Sequence, residues 1–146
     1  MYRIRKNFRV PIGHRLSKHL GACKSCHGHN LFISVQISKR VLNTNDMVMD
    51  FKDFKNIINN ILDDFDHAMV LNSYDKDLLD FMKSKENKVK IISNNTNEDP
   101  TAEVLSRYLF DEISGILFIE NPNIKIDFVR VWENDDSMAE YSKDFI

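Results

Sequence analysis

The chain has 146 residues, with 20 Lys plus Arg against 22 Asp plus Glu, 42% apolar residues, four Gly and three Pro. That length allows a real core, and the composition excludes disorder, collagen and repeat arrays, so one domain over residues 1–146 is expected. A formal net charge of −2, with acids and bases intermixed, lacks the electrostatic footprint of a nucleic-acid binder. No apolar run approaches the roughly 20 residues that span a bilayer, and the start Met1-Tyr2-Arg3-Ile4-Arg5-Lys6 lacks the hydrophobic segment of a signal peptide. The expectation is a cytoplasmic protein with neither nucleic-acid nor membrane partners. Cys23 and Cys26 make a poor disulfide framework and point instead to chemistry or metal.

From Tyr2 to Arg15 the residues alternate, with Tyr2, Ile4, Phe8, Val10, Ile12 and His14 on one parity and Arg3, Arg5, Asn7, Arg9 and Arg15 on the other. This predicts a half-buried strand. From His27 to Val41 the alternation repeats through Leu31, Ile33, Val35 and Ile37, predicting a second strand antiparallel to the first across the 17–26 loop. The period then becomes helical: Phe51, Phe54, Ile57, Ile58, Ile61, Leu62 and Phe65 follow Asp50, a candidate N-cap. Between 72 and 97 the pattern is weaker, with a short helix over 77–82, a short strand over 89–92 and a loop over 94–97. Asp99-Pro100-Thr101-Ala102-Glu103 reads as a helix start with Pro in the first turn, continued by Val104, Leu105, Tyr108, Leu109, Ile113, Ile116 and Leu117. Ile124, Ile126 and Phe128 lead as a strand into Val131-Trp132-Glu133, and Met138 to Tyr141 reads as a final edge strand. The order implies an α+β layer: an antiparallel sheet with both helices on one face.

The histidines carry the chemistry. His14 lies on the apolar parity of the first strand, and His27 and His29 on that of the second. Strand residues i and i+2 point to the same side, about 6.5–7 Å apart. His27 and His29 can therefore meet at one ion, with His14 supplied by the neighbouring strand. Three neutral imidazoles leave a tetrahedral zinc ion one open position, the arrangement of a catalytic site. Gly28, between the two, tolerates close approach by backbone or ligand. A rival is a structural zinc knuckle made of Cys23, Cys26, His27 and His29, although Cys26 and His27 would point to opposite faces of a strand. Asp66-His67 can form an oriented acid–base pair, or be an ordinary helix end where the imidazole meets the dipole. Glu133, taken alone, reads as an exposed charge at a strand end.

In combination these residues resemble a known family. The set His14-Arg15-Leu16, Cys23-x-x-x-His27-Gly28-His29-Asn30, Met47-Val48-Met49-Asp50-Phe51-x-x-Phe54-Lys55, Asp66-His67-x-x-x-Leu71-Asn72, Pro100-Thr101-Ala102-Glu103 and Val131-Trp132-Glu133 is similar to the 6-pyruvoyltetrahydropterin synthase / 6-carboxytetrahydropterin synthase family. The match runs in order over nearly the whole chain. The resemblance implies a tunnelling fold: a four-stranded antiparallel sheet with two helices, three subunits closing a β-barrel, and two trimers stacking into a homohexamer with active sites between subunits. By matching position it implies His14, His27 and His29 as zinc ligands, Cys23 as the catalytic thiol, and Asp66 with His67 as the second proton-transfer group. Glu133 would hold the pterin's guanidine-like edge, with Thr101 and Glu103 near the pterin pocket. The implied substrate is 7,8-dihydroneopterin triphosphate. The spacing from Cys23 to His27, followed by Asp50-Phe51, resembles the bacterial 6-carboxytetrahydropterin synthases of queuosine precursor synthesis, which form 6-carboxy-5,6,7,8-tetrahydropterin, acetaldehyde and triphosphate, more than it resembles the 6-pyruvoyl enzymes. The chain departs from the family pattern at Ile12-Gly13, at Cys26 and in the longer 73–98 stretch. Arg15, Lys18 and Lys24 lie near the ligand loop as possible triphosphate contacts or as a solvated charge run.

Overall fold

The computed structural model describes residues 1–143. Strands β1 (Tyr2–His14) and β2 (His27–Lys39) are joined by a loop holding a short 3-10 turn at Ala22–Lys24. Helix α1 (Phe51–Leu62), strand β3 (Ala68–Leu71), helix α2 (Lys76–Ser84), strand β4 (Val89–Ile91), helix α3 (Ala102–Glu120) and strands β5 (Lys125–Asn134) and β6 (Ser137–Tyr141) follow. The sheet order is β4-β3-β1-β2-β5-β6.

The expected α+β layer is present, but the four-stranded antiparallel sheet is corrected to a six-stranded mixed one. β1 and β2 pair antiparallel as their alternation predicts, while β3 runs parallel to β1, and β4 parallel to β3. β3 escapes the sequence because Ala68-Met69-Val70-Leu71 is four residues long and follows straight on an apolar helical stripe. Buried on most sides, such a strand shows no alternation. Among the described residues the α-helix count rises to three with α2, which extends the short helix expected at 77–82.

Asp50 caps α1, accepting from the Lys52 N–H at 2.6 Å. The helix stops at Leu62, so Phe65 reaches the core from a turn and not from the helix. On α3 the N-cap is Thr101, whose hydroxyl accepts from the Val104 N–H at 3.3 Å. Pro100 therefore precedes the cap and does not lie in the first turn. This frees its carbonyl for another use.

The main core lies between one sheet face and the inward sides of α1 and α3. Val10, Ile12, Leu31, Ile33, Val35, Ile37, Val129 and Val131 from the strands meet Phe54, Ile58 and Leu62 of α1 and Leu105, Leu109, Phe110, Ile113 and Leu117 of α3, all buried. Burying each such side chain is worth about 1.5–3 kcal/mol against leaving it exposed. His14 ends β1 on this buried face, so the packing that forms the fold also sets one ring of the site. No helix among the described residues is long and apolar enough to cross a membrane.

Candidate metal centre

The β1–β2 register sets His14 opposite His27, and Ile12 opposite His29. The ligand atoms of His14, His27 and His29 lie within 4.8 Å of one another. Ring centroids are 4.6 Å apart for His14 and His27, and 5.1 Å for each of the other two pairs. His14 is fully buried, and the other two are partly open.

The hydrogen bonds decide which nitrogens face inward. His14 Nδ1 lies 2.9 Å from the carbonyl of Pro100, and His27 Nδ1 lies 2.7 Å from that of Ser25. Carbonyls only accept, so both rings carry their proton on Nδ1 and turn a lone pair inward on Nε2. Those two Nε2 atoms stand 3.0 Å apart. Two lone pairs at that distance repel unless a cation lies between them. Tetrahedral zinc with Zn–N of about 2.0–2.1 Å would set its nitrogens roughly 3.3 Å apart, so the donor set fits such an ion. Burial holds the His14 imidazole below its usual range, against the opposing pull of the Pro100 hydrogen bond and of the Glu133 carboxylate. A lowered value favours the neutral form that a metal ligand requires.

Glu133 faces this group. The β5–β6 register shifts between Trp132 and Asn134, so Glu133 falls at a bulge, a device that re-aims a side chain. Its two carboxylate oxygens each lie 3.9 Å from a ring nitrogen, one from His14 Nε2 and the other from His29 Nε2. The expected strand-end carboxylate is therefore a wall of the centre.

The other expected residues are arranged around it. Cys23 sits half-buried in the 3-10 turn, its carbonyl accepting from the Leu16 N–H at 2.9 Å, while Cys26 is exposed. Among the described residues the group able to hold a metal contains the three histidines and no sulfur, which disfavours the zinc knuckle. Asp66 and His67 are bonded at 2.7 Å between Oδ1 and Nδ1, as an oriented pair requires, but their side chains are 52% and 82% exposed. They lie in a turn and not at a helix end, with His67 in the left-handed region at φ 57°. Its N–H donates to the Pro11 carbonyl at 2.9 Å, docking the turn against β1. Thr101 uses its hydroxyl as a helix cap, and Glu103 is exposed in the first turn of α3, beside Pro100.

Several supporting groups are not readable from the chain. Arg15 makes a two-point bond to Asp75, both contacts 2.7 Å. Lys18 is likewise engaged, its ammonium donating to the Asn97 carbonyl. Gly28 closely meets backbone: a Cβ there would lie 2.7 Å from the Ile12 carbonyl oxygen. Gly13 packs against the Met69 side chain, which occupies the space a larger residue would need.

The 6-pyruvoyl tetrahydropterin synthase family matches residues 3–144. The chain belongs to that family. It is 28% identical to the 6-carboxy-5,6,7,8-tetrahydropterin synthase of Aquifex aeolicus, over 98% of this chain and 99% of that protein. It is 29% identical to the enzyme of the same name from Rickettsia typhi, over 96% and 99% respectively. Among solved structures, 6-pyruvoyl tetrahydropterin synthase of Caenorhabditis elegans superposes with a TM-score of 0.71 at 22% identity, covering 97% of this chain and 95% of that one. An uncharacterized protein of Wolinella succinogenes superposes with a TM-score of 0.76 at 20% identity, covering 98% of both. The fold is that of the family, whose named relatives here are tetrahydropterin synthases.

Proposed function

We propose that the chain is a zinc-dependent 6-carboxytetrahydropterin synthase, converting 7,8-dihydroneopterin triphosphate to 6-carboxy-5,6,7,8-tetrahydropterin with loss of acetaldehyde and triphosphate. The observation that carries this reading is the pair of inward lone pairs on His14 and His27, joined by His29 and walled by Glu133. Relatives named for this product, matched over nearly the full chain, support the branch.

Zinc held by the three histidines would supply Lewis acidity to the substrate's side-chain hydroxyls. Cys23, as thiolate, takes a proton from the substrate side chain. His67 relays a proton through Nε2, because Asp66 fixes its Nδ1–H and so its tautomer. Glu133 accepts the paired N–H groups of the pterin edge in charge-assisted hydrogen bonds, turning from its place beside the rings to do so. Thr101 and Glu103, at the start of α3, border the pterin.

The exposure of the Asp66–His67 pair fits a site completed by another copy, whose Cys23 or histidines would meet it. The sheet ends on β4 and β6, whose outer edges can pair with neighbouring copies. This is the basis for a homohexamer, a dimer of trimers with barrel-like closure. A cytoplasmic location follows from the pterin chemistry and from thiols that must stay reduced.

The test is incubation of zinc-loaded protein with 7,8-dihydroneopterin triphosphate, followed by mass analysis. A 6-carboxy product with acetaldehyde supports the reading. A 6-pyruvoyl product assigns the other branch, and unchanged substrate overturns the enzyme. Sedimentation as a stable monomer would remove the shared-site arrangement.

A further inference from the structure

We infer that Asp99 is a positioning residue for the metal centre, fixing the orientation and tautomer of His14 through the carbonyl of Pro100. The inference rests on the reading of His14, His27 and His29 as metal ligands, and goes beyond it to the group that holds one of them in place.

The His14 ring is fully buried and its Nδ1–H has the Pro100 carbonyl as partner at 2.9 Å. The direction of that carbonyl therefore sets how Nε2 is aimed. Pro100 has no N–H of its own and a fixed φ, so its carbonyl is aimed by what clamps its neighbours. On one side Thr101 caps α3, and its N–H donates to the Asp99 carbonyl at 2.8 Å. On the other side stands Asp99, 6% exposed. Its Oδ1 accepts from the Ser17 hydroxyl at 2.6 Å and from the Asn72 amide at 3.0 Å, and its Oδ2 accepts from the Lys18 N–H at 2.8 Å. Asn72 also donates to Asn97 Oδ1 at 2.7 Å, tying down the approach to Asp99.

The donors come from particular places. Ser17 and Lys18 belong to the loop that leaves β1 just after His14. Asn72 directly follows β3, the strand in which Val70 is paired with His14. One carboxylate thus joins the three segments that meet around the ring, and closes a circuit from His14 through Ser17 and Asp99 to Pro100 and back to His14. An amide at 99 has one accepting oxygen and an NH2 group, so it cannot receive all three donors. One donor would then face another, and the 97–100 segment would move. Groups that hold the second nitrogen of a metal-binding histidine typically matter about ten- to hundred-fold in metal affinity when removed.

A residue that merely braces the fold would lower stability and leave affinity alone. The experiment measures zinc affinity by chelator competition, the thermal midpoint in chelator, and the imidazole 15N shifts of the metal-free protein. The proteins are wild type, Asp99→Asn and Glu98→Gln, the last a neighbouring acid whose bonds run to Arg107 and Thr96, away from the ring. Asp99→Asn is expected to weaken zinc binding by up to about tenfold, the low end of what loss of a direct histidine partner costs, and to replace the single Nδ1–H tautomer of His14 by a mixture, while Glu98→Gln binds zinc as wild type does. Wild-type affinity in Asp99→Asn, with only a lowered midpoint, overturns the inference. Should Asp99→Asn fail to fold, Ser17→Ala removes one donor and keeps the charge: weaker zinc binding supports the inference, and unchanged binding overturns it. Wild-type protein that binds no zinc overturns the metal-centre reading itself, a result distinct from a variant that binds normally.

Discussion

Gly13 and Gly28 stand directly opposite each other in the β1–β2 ladder, one step in from the His14–His27 pair. The absence of a side chain at Gly28 lets the two strands close up beside the rings, whereas a Cβ at Gly13 would meet the Met69 side chain. Gly28→Ala would set a methyl group 2.7 Å from the Ile12 carbonyl oxygen, an obstacle of backbone that cannot swing aside. The expected result is a loss of about 1–3 kcal/mol in chemical unfolding, together with weaker zinc binding as His27 and His29 are pushed from His14. Wild-type zinc affinity in this variant would show that the strand spacing does not tune the centre.

Removal of ligand and of thiol should separate cleanly. His14→Ala is expected to strip zinc and to leave the Pro100 carbonyl without its buried partner, at about 1–3 kcal/mol. Cys23→Ala is expected to keep full zinc stoichiometry while turnover disappears. Metal analysis on both purified variants checks this, and metal loss from Cys23→Ala would revive the knuckle.

Acid sensitivity follows from Asp99. Burial pushes its carboxyl up, but the hydrogen bonds from Ser17, Lys18 and Asn72 outweigh burial and leave it below its ordinary value of 3.8. The folded state therefore takes up this proton at lower pH than the unfolded chain does. Its stabilising contribution is complete above about pH 3.8 and declines as pH falls from there through the folded value. Comparing wild type with Asp99→Asn in unfolding across pH 2–6 should show the two curves converging at the acid end. Parallel curves would contradict the coupling.

The Arg15–Asp75 pair is a second brace beside the centre. The Asp75 side chain is 5% exposed and that of Arg15 28%, so Arg15→Ala strands a nearly buried carboxylate. The expected loss is about 3 kcal/mol, read as a lowered denaturant midpoint. Restoring a neutral pair with Arg15→Met and Asp75→Leu together should recover most of it.

The parts of the fold that a local pattern governs were legible. Alternation through Val10, Ile12 and His14 and through His29, Leu31 and Ile33 gave both long strands and their shared face, and 3.6-residue spacing gave α1 and α3. The convergence of the three imidazole rings was readable for the same reason, since parity fixes facing. The parallel strands β3 and β4 were not readable as a sheet, because their pairing is decided by partners distant in the chain. The same holds around the rings. Pro100, Asp99 and Asn72 reach His14 across 86 residues or through loops whose course no periodicity encodes. The aim of Glu133 depends on a one-residue slip in the β5–β6 ladder that hydrophobic pattern does not reveal.

The left-handed backbone at His67 has an evolutionary corollary. A glycine would adopt φ 57° freely, whereas a residue with a Cβ there costs roughly 1–2 kcal/mol. Relaxed selection on the chemistry would thus favour replacing this imidazole. A descendant that had lost the chemistry would be recognisable by a glycine or asparagine after Asp66, sitting in an otherwise intact and more robust scaffold.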